Sequence, residues 1–60
     1  MSLYEFLKEN NDDVLFCDRT GNLIAVYCKG NVKVLFEFPS VNKATFEYRK
    51  FRRELENIKV

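Results

Sequence analysis

Sixty residues that are 47% hydrophobic and 15% aromatic, with only two glycines and one proline, exclude a disordered chain and leave room for a single domain. A net charge of +1 lacks the usual electrostatic footprint of a nucleic-acid binder, and no histidine with two cysteines excludes a zinc site of His and Cys ligands within one chain and a secreted disulfide scaffold. No basic-then-apolar leader opens the chain, and no apolar run nears the roughly 18 residues that span a bilayer, so a cytoplasmic protein with no membrane partner is expected.

Ser2-Leu3-Tyr4-Glu5 has the form of a capping box, in which the Ser hydroxyl accepts from the backbone N–H three residues on. It predicts a short helix over about residues 3–9, with Leu3, Phe6 and Leu7 as its apolar stripe. Asn10-Asn11 suits a left-handed terminus. A helix this short is not stable alone and must dock.

Residues 13 to 38 predict three strands, at about 13–18, 23–29 and 32–38, rich in Val, Ile, Leu and Phe. Arg19-Thr20-Gly21 suits a three-residue hairpin loop with Gly in the left-handed position, which pairs Asp18 with Asn22, Phe16 with Ile24 and Val14 with Val26. Lys29-Gly30-Asn31, with Asn31 left-handed, pairs Cys28 with Val32, Val26 with Val34 and Ile24 with Phe36. Both registers place Val14, Phe16, Ile24, Val26, Val32, Val34 and Phe36 on one core face. The reverse face then carries Leu15, Cys17, Leu23, Ala25, Tyr27 and Leu35, broken only by Lys33 and Glu37. Cys17 and Cys28 fall on opposite faces, which disfavours a disulfide.

Pro39 ends the sheet, because it has no N–H to donate and keeps the residue before it out of the helical region. A second helix is expected over about residues 43–57, capped by Asn42. Ala44, Tyr48, Phe51, Leu55 and Ile58 step by four and three along it and form its buried stripe. The fold class is therefore α+β, a helix, a three-stranded antiparallel meander and a helix, in one domain over residues 1–60.

Two surfaces stand out. An antiparallel sheet with a solvated back normally alternates apolar with polar residues, and the reverse face of this one does not. Either one helix covers each face, or Leu15, Leu23, Tyr27 and Leu35 meet a partner protein or a second copy of the chain. On the second helix Phe46 lies opposite the apolar stripe and is flanked by Arg49, Lys50 and Arg53. Either Phe46 packs back onto the first helix or the sheet, or it anchors a partner within a ring of cations.

The acidic residues Glu9, Asp12, Asp13 and Asp18 lack the alternating ligands and central Gly of a calcium loop, so no metal is expected. Without histidine, a Gly-rich phosphate loop or a nucleophile elbow, the chain is not expected to be an enzyme or to carry a cofactor. The expectation is a small protein-binding module, an inhibitor or modulator of a larger host protein, of the size common among phage and mobile-element accessory proteins. The alternative is a nucleic-acid binder using Arg49, Lys50, Arg52 and Arg53, supported by an acidic first third and a basic last third of the chain.

Overall fold

The computed structural model describes residues 2–59, the last of them by its backbone alone. The chain runs α1 (Leu3–Asn10), β1 (Val14–Thr20), β2 (Leu23–Cys28), β3 (Val32–Glu37), α2 (Val41–Lys59), and the strands form one open antiparallel sheet in the order β1-β2-β3. The α+β class and the meander are those the sequence predicts.

Helix α1 starts on the Ser2 half of the expected capping box, and among the described residues no bond returns from the Glu5 carboxylate to the Ser2 N–H. The Ser2 hydroxyl accepts from the Glu5 N–H at 3.1 Å, and the Ser2 carbonyl accepts from the Phe6 N–H at 3.0 Å. Its end differs from expectation, for Asn11 stays in the right-handed helical region at φ −59°. Asn10 closes the last turn instead, its side-chain amide donating to the Phe6 carbonyl at 3.0 Å while its own carbonyl accepts from the Asp13 N–H at 2.9 Å.

The β2–β3 hairpin has the expected register, Ile24 opposite Phe36, Val26 opposite Val34 and Cys28 opposite Val32. Gly30 and Asn31 of its loop both take positive φ, at 77° and 61°, a region Gly enters freely and Asn tolerates.

The β1–β2 hairpin corrects the expected pairing. Thr20 pairs with Leu23, so the connection is a two-residue Gly21-Asn22 turn, with Gly21 at φ +61° in the first central position that a II′ turn reserves for Gly. Phe16 therefore pairs with Tyr27, Cys17 with Val26 and Arg19 with Ile24. A slip by an odd number of residues turns every side chain to the other face. Phe16 leaves the core face for the reverse face, and Cys17 makes the opposite move. Cys17 and Cys28 thus share the core face, and both are free thiols.

A bulge between Val14 and Phe16 makes Leu15 the extra residue and restores the phase, so that Val14 pairs with Cys28 and is fully buried.

Helix α2 begins two residues before the expected Asn42 cap permits. Ser40 caps it, its hydroxyl accepting from the Lys43 N–H at 3.1 Å and its carbonyl from the Ala44 N–H at 3.0 Å. Pro39 fits just outside the helix start, where its missing N–H is not required.

Leu3 and Leu7 of α1, Phe51 of α2, and Val14, Ile24, Val26 and Cys28 of the sheet form one buried cluster, with Phe6, Phe36, Tyr48 and Leu55 packed at its margin. Both helices therefore lie on the same face of the sheet. The arrangement has two layers, and the expected alternative of one helix on each face is not adopted. Ala44 and Phe51 of the α2 stripe are buried, Tyr48 and Leu55 half-buried, and Ile58 exposed at the helix end.

Candidate protein-binding surface

Strand alternation fixes what the uncovered face presents. β1 contributes Phe16, Asp18 and Thr20, β2 contributes Leu23, Ala25 and Tyr27, and β3 contributes Lys33, Leu35 and Glu37, in rows set by the register. Phe16 and Tyr27, directly opposed, stack with ring centroids 4.5 Å apart and planes 17° from parallel. The Lys33 ammonium stands 5.9 Å from the Tyr27 centroid, which completes an aromatic row with a cation at one end. Ala25 at the centre gives the face a shallow middle, beside which Leu35 rises 59% exposed.

The structure brings the four residues singled out from the sequence to this one side. Leu23 and Leu35 are exposed, and Tyr27 is half-buried under Phe16 and Lys33. Leu15, exposed at the bulge, lines a shallow depression with Phe16, Tyr27 and Val32. Phe16, which sequence reasoning places in the core, is 54% exposed and is the largest apolar group the face gains.

Phe46 on α2 is 62% exposed, so it packs on neither α1 nor the sheet. Arg49, Lys50 and Arg53 line a depression with it, as their helical spacing requires. Two of the cations around it are engaged elsewhere as well. Lys43 lies 5.9 Å from the Phe46 centroid and pairs with Glu47 at 3.2 Å, and Lys50 lies 5.4 Å from the Tyr4 ring of α1.

A third feature joins the edge of the sheet to α2. Arg19, turned toward α2 by the two-residue hairpin, lines an open groove with Arg49, Arg52 and Arg53, and Glu56 is its one carboxylate. Arg19 is held by donating to the Gly21 carbonyl at 2.8 Å, Arg52 lies 5.8 Å from the Tyr48 ring, and its ion pair with Glu56 is long, at 3.9 Å. Sequence reasoning missed Arg19. Gly-Asn between two strand-like runs is the signal that finds it, because a two-residue turn there puts Arg19 opposite Ile24.

No known protein family, curated protein or solved structure matches this chain.

Both cysteines are held in the thiol form by their surroundings. Burial pushes the Cys17 thiol from an ordinary 9.0 up to about 11, with the Arg52 guanidinium opposing and Asp18 adding to the shift. Burial likewise raises Cys28, with a smaller push from Asp13. Among the described residues no three His, Cys, Asp or Glu side chains gather as a metal site requires, and no helix is long and apolar enough to cross a membrane.

Proposed function

We propose that this chain is a small non-enzymatic module that binds another protein through the uncovered face of its sheet and so inhibits or modulates it. The observation that carries the reading is the placement of both helices on one face, which leaves Phe16, Leu23, Tyr27 and Leu35 as a continuous apolar surface. Contiguous exposed apolar patches rimmed by polar groups are the usual mark of protein contact sites, and aromatic residues dominate the energies of such sites. Asp18, Thr20, Lys33 and Glu37 provide the polar rim here.

Affinity capture from the native host tests the reading, with Leu23→Lys and Tyr27→Glu as face variants and Phe46→Ala as a helix variant. The expected result is a captured protein that both face variants lose and the helix variant keeps. Loss in Phe46→Ala with retention in both face variants would move the site to α2.

The arginine groove favours a second reading, contact with a nucleic acid. Four guanidiniums facing one carboxylate make a locally cationic channel in a chain of nearly neutral net charge. Fluorescence anisotropy with duplex and single-stranded oligonucleotides tests it. The reading requires affinity that falls steeply with salt and is abolished by Arg19→Glu with Arg53→Glu, and unchanged anisotropy at low salt would end it.

A further inference from the structure

We propose that the free edge of β3 pairs antiparallel with β3 of a second copy of this chain, about a two-fold axis through Leu35, to make a six-stranded sheet across two protomers. This pairing joins the backbone of the strand edge and holds whether or not the face binds a partner, although it shares Lys33, Leu35 and Glu37 with the margin of that face.

The backbone supplies the first argument. The Phe38 N–H donates to the Asn22 carbonyl at 2.9 Å, and the β2–β3 register runs from that pair to Cys28 and Val32 without a break. In a regular antiparallel ladder hydrogen-bonded and non-hydrogen-bonded pairs alternate. Phe36 and Val34 therefore bond inward to β2, while the N–H and C=O groups of Lys33, Leu35 and Glu37 point out of the sheet. Among the described residues no loop backbone and no side chain bonds to those groups.

The other edge is treated differently. β1 carries the Leu15 bulge, a device that blunts an edge against pairing, and α2 packs beside it. β3 has no bulge and no proline before Pro39.

The side chains supply the second argument, because β3 is complementary to itself. Lys33 and Glu37 stand two residues either side of Leu35. An antiparallel copy centred on Leu35 sets Leu35 against Leu35 and sets each Lys33 against a Glu37 of the other protomer. These three pairs are the hydrogen-bonded ones, so the outward backbone groups and the opposite charges are satisfied in a single register. On the helix side the same register sets Val34 against Phe36, both half-buried in one protomer, which extends the core across the new strand pair. A lone charge on an edge deters pairing. A symmetric Lys/Glu pair about an apolar centre instead selects one partner and one register.

The test uses charge exchange at low salt, read by sedimentation equilibrium over a wide concentration range. Lys33→Glu alone and Glu37→Lys alone each place two like-charge pairs at the interface, and each weakens dimerisation on the order of tenfold. An equimolar mixture of the two single variants, and separately the double variant Lys33→Glu/Glu37→Lys, restores it. Both positions are exposed, and far-UV circular dichroism checks that each variant stays folded. Amide exchange reads the edge directly: protection at Lys33, Leu35 and Glu37 rises with protein concentration by more than protection at Val34 and Phe36, which already bond to β2. A wild-type chain that remains monomeric at millimolar concentration overturns the proposal, and so does a dimer that the charge exchanges leave unchanged or that Tyr27→Glu alone dissociates. Tyr27→Glu is the face variant that abolishes partner capture, so the edge pairing and the face reading fail by different results.

Discussion

Phe51 and Phe46 sit five residues apart on one helix, 2% and 62% exposed, and replacing each by alanine separates what folds the chain from what it displays. Phe51 reaches into the cluster formed by Leu3, Leu7, Val14, Ile24 and Val26, and truncating a buried Phe costs about 3–5 kcal/mol. A 60-residue domain at about 0.05–0.15 kcal/mol per residue holds about 3–9 kcal/mol in all, so Phe51→Ala removes at least about a third of it and at the low end unfolds the chain. Phe46→Ala loses the Lys43–ring interaction and the apolar contact of the covered third of its ring, and gains the better helix propensity of alanine, terms that offset within about 0.5 kcal/mol. Urea unfolding followed by far-UV circular dichroism reads both. With a denaturant slope of about 1 kcal/mol per molar, Phe51→Ala lowers the midpoint by about 3 M or leaves no folded baseline, and Phe46→Ala moves it by less than about 0.5 M. Equal shifts, or a fall of more than about 1 M for Phe46→Ala, would refute the assignment of Phe46 to the surface.

Phe16→Lys tests the β1 register. On the open face it costs about 1–2 kcal/mol, from partial burial and the lost stack on Tyr27, and the chain still folds. Val26→Lys, on the core face, unfolds it, and an unfolded Phe16→Lys would contradict the pairing of Phe16 with Tyr27. For Cys17 the linkage has a definite sign. A thiol pushed up in the folded state stays protonated where the unfolded thiol ionises, so its stability contribution is complete below pH 9.0 and is lost as pH rises to about 11. Urea midpoints over that window fall more steeply for the wild type than for Cys17→Ala, and parallel curves would count against burial of this thiol.

Elements whose signals are local and chemically specific were legible in the sequence. The Ser2 cap, the Asn31 turn and the Ala44/Phe51 stripe each rest on residues close in the chain, and each is found in the fold. The β1 register was not, because Arg19-Thr20-Gly21 and Gly21-Asn22 both satisfy a hairpin that needs positive φ at Gly21. The choice between them fell to packing: the two-residue turn with a bulge at Leu15 keeps Val14 buried while turning Cys17, smaller than Phe16, toward α2. For the same reason the apolar character of the reverse face was readable, but its largest exposed group was not. Which face each helix covers was outside the reach of periodicity, since the stripes of α1 and α2 state that a face is buried and not against what. The Phe46 patch was readable because helical spacing alone brings its residues together.

The one-sided placement of the helices divides β2 into two independent records at alternate residues. Ile24, Val26 and Cys28 answer to folding, and a change at any of them is judged by whether the chain survives. Leu23 and Ala25, one step along the same strand, largely escape that judgement, while Tyr27 answers to it only through its stack on Phe16. A lineage carrying this domain can therefore rewrite its recognition surface residue by residue without first drawing down its small reserve of stability. Divergence is expected to concentrate at Leu23 and Ala25, with Ile24, Val26 and Cys28 held nearly constant.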